Sequence, residues 1–131
     1  MSRSTLWVGR ILTALPALLM TFSAALKFFG PPEIAQQFTS KYGYPPGSLA
    51  IIGVLELACV LVYLVPQTAV LGAILMAAYL GGAVSTHVRA SEPWFAPVLT
   101  AVMAWLGLYL RDPRLRALVP LRRPEGVTAP S

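Results

Sequence analysis

The chain has 131 residues, enough for one compact unit, of which 56% are apolar and 11% charged. Soluble domains are about a quarter charged, so this chain lacks the polar surface to coat a water-soluble globule. Its formal charge of +5 does not mark a nucleic-acid binder. Arg111, Arg114, Arg116, Arg122 and Arg123 all follow the last apolar segment, a placement suited to anionic lipid headgroups.

The first apolar run covers 6–29 and is interrupted by Arg10 and Lys27. It is too long for a secretory-signal core, and we expect it to stay as an uncleaved helix, kinked at Pro16. Residues 30–47 form the one long link. Pro31-Pro32 can start a short helix, and Ile34, Phe38 and Tyr42 recur every four residues. Two readings stand side by side: an amphipathic helix in the outer interface, or an ordered cap over the mouth of the bundle.

Three further helices are predicted at 48–65, 69–88 and 94–110. Each is close to the roughly 20 residues that cross a hydrocarbon core of about 30 Å. At that depth only a helix satisfies its own backbone groups. Pro66-Gln67-Thr68 and Ala90-Ser91-Glu92-Pro93 are tight links, which makes these three helices successive antiparallel neighbours. Trp7, Phe28, Phe29, Trp94, Phe95 and Tyr109 fall near the predicted boundaries, as aromatic belts do. Ala73, Ala77, Gly81 and Ser85 stand four apart on the third long helix and read as a packing stripe.

The expected architecture is thus all-α, an integral membrane antiparallel four-helix bundle over 1–115. A disordered basic cytoplasmic tail is expected to follow at 116–131. Arg3, Arg10 and the five arginines named above lie on one side, against Lys27, Lys41 and Arg89 on the other. That asymmetry predicts a multi-pass protein of the cell (inner) membrane with both termini cytoplasmic.

The polar groups inside the apolar runs are the candidate site. Glu56 sits mid-way along its helix, where an ionised acid costs about 2.5–3.5 kcal/mol. It must face the interior and either pair with a cation or stay protonated. Counting depth along the helices makes Arg10 its first-choice partner. Lys27 and His87 are expected to share an outward polar mouth, and Tyr63 falls on the Glu56 face two turns below. One cysteine, Cys59, and one histidine, His87, exclude an internal dithiol, a bis-histidine haem and a four-ligand zinc site. No metal, cofactor or catalytic group is expected, a quinone being the one ligand left open.

With these residues in view, the chain resembles the DoxX-like family of small four-helix membrane proteins over roughly residues 7–115. The resemblance rests on Trp7-Val8-Gly9-Arg10, on Ser23 to Lys27, and on Tyr-Gly-Tyr-Pro-Pro at 42–46. Gly53 to Glu56 and Gly82, Ala83 and His87 continue it, while Ala24 stands where the family has glycine. It implies a bundle whose relatives include partners of quinone-linked or oxidative-stress membrane complexes and assembly chaperones, mostly without an assigned reaction. Lys27, Glu56 and His87 match the polar positions of that pattern, and Ser23 belongs with them.

Three functions follow as expectations. The first is a non-catalytic accessory subunit or chaperone-like partner that docks another membrane protein or a second copy of itself. The second is a quinone-binding subunit of a membrane redox complex. The third is a small-solute or proton carrier, since an intramembrane acid is a common relay element.

Overall fold

The computed structural model of the chain describes residues 2–122, and every described element is helical. Helix α1 spans Arg3–Phe29, α2 Pro32–Gln36, α3 Ser48–Leu64, α4 Ala69–Arg89 and α5 Phe95–Arg111. A π-helical turn, Gln37–Lys41, continues α2, and 3-10 turns cover Pro66–Thr68 and Pro113–Ala117.

The boundaries follow from local chemistry. Ser2 caps α1 by accepting from the Thr5 amide at 3.1 Å, so the helix begins at Arg3, a turn earlier than the apolar pattern indicates. Pro16 lies inside α1 and is buried; the helix continues through it. Gly30 and Pro31-Pro32 end α1, and Pro32 opens α2 at a position whose amide needs no acceptor. Gly47 adopts φ +89°, a left-handed conformation that releases the chain into α3. Arg116 and Ala117 complete the last turn beside buried Leu115, so the boundary drawn at 116 falls inside an ordered turn. The rest of the expected disordered tail, from 123 on, lies outside the described residues.

Four long helices pack pairwise: α1 on α3 and α5, and α4 on α3 and α5. Their contacts are made largely by small residues. Ala17, Ala24, Ala69, Ala73 and Ala104 are buried, with Met20, Val60, Tyr63, Met76 and Leu108 filling the gaps between them. The large apolar side chains point the other way: Leu18, Phe22, Ile51, Leu61, Ile74, Leu99 and Val102 are more than half exposed. A water-soluble protein puts its large hydrophobics inside; here they coat the outside.

The closest approaches are at glycines. A Cβ on Gly107 would meet Thr13 Oγ1 at 2.7 Å and the Thr13 amide nitrogen at 2.8 Å, so α1 and α5 touch backbone to backbone. Gly72 of α4 meets the backbone of Tyr63 in the same way.

The stripe expected on α4 is corrected here. Ala73 is fully buried and Ala77 half-buried, but Gly81 and Ser85 are exposed, and nothing lies within 4 Å of a Cβ added at Gly81. Residues four apart advance about 40° beyond a full turn at each step, so a stripe of this period spirals from the interior to the surface. The buried line of α4 instead runs through Gly72, Ala73, Met76 and Leu80.

Candidate functional site

Lys27 comes from the last turn of α1 and Glu56 from the middle of α3. Lys27 Nζ donates to Glu56 Oε1 at 2.8 Å, and the two side chains are only 7% and 3% exposed. Ser23, one turn back on α1, accepts a second bond from Nζ through its Oγ at 2.7 Å. The Phe38 ring stands over the ammonium, 5.6 Å from Nζ to centroid. Gly53 allows this meeting of helices, since a Cβ there would press on Phe28 at 3.0 Å and on Lys27 Cβ at 3.3 Å.

The Glu56–Arg10 pairing is therefore corrected to Glu56–Lys27. Arg10 is exposed, with its guanidinium 5.1 Å from the Trp7 ring centroid. The reason is directional. Helical side chains lean toward their own N-terminus. On antiparallel α1 and α3, Lys27 leans inward from the outer end and Glu56 leans outward to meet it. Arg10 leans away from both. Counting residues from helix ends ignores that lean.

Tyr63 belongs to a different cluster. Its hydroxyl donates to the Ala104 carbonyl at 2.7 Å and lies 3.4 Å from Thr13 Oγ1. Thr13 donates to the Gly9 carbonyl at 2.8 Å and accepts from Arg111 Nε at 3.0 Å. These residues join α1, α3 and α5 near the end opposite the ion pair. Thr13 and Arg111 had no signal in the sequence beyond one of two threonines in an apolar run and an arginine in a basic tail.

His87 is likewise separate from Lys27. Its Nδ1 donates to the Ala83 carbonyl at 2.7 Å, and its Nε2 faces Glu92 Oε2 at 3.9 Å. Glu92 is the centre of an outer clasp that sequence reasoning treated only as part of a turn. Lys41 Nζ reaches Glu92 Oε1 at 2.7 Å, and the Tyr42 hydroxyl donates to both carboxylate oxygens at 3.1 Å. Arg89 donates to the Tyr42 carbonyl at 3.1 Å, and the Tyr44 hydroxyl donates to Thr86 Oγ1 at 2.7 Å. The segment between α1 and α3 thus lies over the ion pair as a cap, tied to the α4–α5 turn. An acid five residues after His87, on the side carrying Lys41 and Arg89, was the available clue.

The Lys41 ammonium beside Glu92 holds its carboxyl below the usual carboxylate range, and Tyr42 is raised, first by burial and then by Glu92. A depressed carboxyl pKa adds stability that is complete above the unfolded-state value and is lost as pH falls through the folded value. The clasp should therefore hold at neutral pH and loosen progressively below about pH 4.3, the ordinary glutamate value. The protection factors of the 31–47 amides, with the intrinsic pH dependence of amide exchange divided out, should fall as the pH drops from 7 into the acid range. Glu92→Gln should show that lowered protection already at pH 7, and protection factors flat with pH in the wild type would contradict it.

An all-helical chain that turns its large apolar side chains outward and folds an ion pair inward has the build of a membrane protein. Comparison with known families agrees. The model of the DoxX-like family matches residues 11–109, and the chain belongs to that family. No curated protein and no solved structure matches it. Family membership, with two helical stretches long and apolar enough to cross a membrane, Arg3–Phe29 and Pro66–Arg89, points to a membrane protein.

Proposed function

We propose that the protein is an integral membrane four-helix bundle of the cell membrane, with both termini cytoplasmic. In this reading it serves as a non-catalytic accessory subunit or chaperone-like partner of another membrane protein. The observation that carries the reading is one face of α4. Ala78, Gly81, Gly82 and Ser85 follow the i, i+3, i+4, i+7 spacing, all are exposed, and added Cβ atoms at both glycines would meet nothing within 4 Å. In a bilayer, small residues on an outward face let a second helix approach closely. The Lys27–Glu56 pair supports the same reading, because its charges answer each other inside the fold and its role there is to join α1 to α3.

Gly81→Leu and Ser85→Leu should leave melting in detergent unchanged and remove a stoichiometric membrane-protein partner, or the second copy, from material purified in mild detergent. Quinone co-purifying with the wild type, and lost in Glu56→Gln, would transfer support to the quinone-binding alternative. A partner retained at full stoichiometry by both leucine variants would rule out this face.

A further inference from the structure

At the end of the molecule opposite the ion pair, a groove of about 520 Å³ runs between the α3–α4 turn and the end of α5. Pro66 and Val70 give it an apolar wall, and Gln67, Arg111, Asp112 and Arg114 make the rest of its lining polar. Arg111 is held in place with care. Its stem crosses α1 at Gly9, where a Cβ would press on Arg111 Cγ at 2.7 Å. Its Nε is fixed by Thr13 Oγ1 at 3.0 Å. Among the described residues this is the geometric hydrogen bond that Arg111 makes.

The charges around it do not cancel it. Asp112 also lines the groove, but both its oxygens are taken by Arg114, with Nε to Oδ1 at 3.0 Å and a terminal nitrogen to Oδ2 at 2.9 Å. That pair is neutral as a unit, so Arg111 carries the net positive charge of the groove. A guanidinium anchored through Nε presents its terminal donors in a fixed plane, the geometry that phosphate oxygens accept. The apolar flank from Pro66 and Val70 adjoins the exposed apolar side chains of Val65 and Leu71.

A cation at the rim with apolar wall below it matches an amphiphile. We propose that this groove seats the phosphate of an anionic phospholipid, with Arg111 as the residue that recognises it and Pro66 and Val70 in contact with the first carbons of its acyl chains. The net charge selects an anionic over a zwitterionic lipid. The inference rests on the reading of the chain as membrane-embedded.

The test uses the full chain in an uncharged detergent, titrated separately with phosphatidylglycerol, phosphatidylcholine and inorganic phosphate while thermal unfolding is followed. A ligand that binds only the folded state raises the melting temperature with concentration. Phosphatidylglycerol should do so; phosphatidylcholine and inorganic phosphate should not. Arg111→Gln should weaken the phosphatidylglycerol effect about tenfold, the size expected for losing charge-assisted bonds to one phosphate. Arg10→Gln, at an exposed arginine of the same end, should leave it intact. Gln67→Glu places an acid in the groove without touching Arg111 or the core, and should weaken binding even if Arg111→Gln does not fold. Equal shifts with both lipids, a shift with phosphate alone, or no loss in Arg111→Gln and Gln67→Glu would each overturn the proposal. Carbonate washing of membranes separates the two readings. A chain that washes off overturns both, whereas one that stays embedded and ignores phosphatidylglycerol overturns only the lipid seat.

Discussion

Lys27→Met and Glu56→Met should each destabilise the protein by about 3–5 kcal/mol, because each leaves the other partner buried without its counter-charge. The pair is nearly inaccessible, its N–O distance is 2.8 Å, and Ser23 is the one further strong acceptor for the ammonium. Joint replacement by Lys27→Met and Glu56→Met should cost far less than the two singles together, since a buried ion pair exchanged for apolar residues of similar size is often close to neutral. A double-mutant cycle by thermal unfolding in detergent measures the coupling. Single variants that melt like the wild type but lose function in complementation would move the pair from holding helices together to serving a ligand or proton path.

The second large effect is expected at the α1–α5 crossing. Gly107→Leu must drive a side chain into the backbone of Leu12 and Thr13, and neither can rotate away as a flexible side chain would. Overpacking of this kind costs about 1–3 kcal/mol and more where backbone must shift. It should also release Arg111 from Thr13, since the same contact aligns them. Gly81→Leu is the matched control, for its added side chain enters open space. Thermal unfolding of the two variants side by side decides the matter, and equal melting would show that the glycine crossing bears no stability.

Helix positions were readable from the sequence because length and continuous apolarity set them, and proline and glycine mark the breaks. Arg3 escaped the apolar pattern since its helix starts at a serine cap, which hydropathy does not register. Lys27 and Glu56 were visible as costly charges in apolar runs. Their pairing was not, because it depends on which way each side chain leans along its helix. Gly53 and Gly107 illustrate a second gap: every glycine looks alike in sequence, and only the neighbouring helix decides which one a side chain would disrupt. The outer clasp was missed for a similar reason. Glu92 gathers His87, Lys41 and Tyr42, the last of them 50 residues away along the chain, and its local setting is that of an ordinary turn.

The contacts that close the ring of helices also set an order for its making. Lys27 and Glu56 are 29 residues apart, so their bond can form once the first half of the chain is in place. Arg111 and Thr13 are 98 apart, and the α1 surface at Gly9, whose nearest neighbours are Arg111, Gly107 and Leu110 of α5, has no such cover until the last helix arrives. Contacts so distant along the chain form late, because the intervening loop must first be closed. A polypeptide still under synthesis therefore presents α1 with its charge at one end already neutralised and its glycine face still bare. During that interval the bare face is the surface open to mispairing, and the arrival of α5 is the event that ends it.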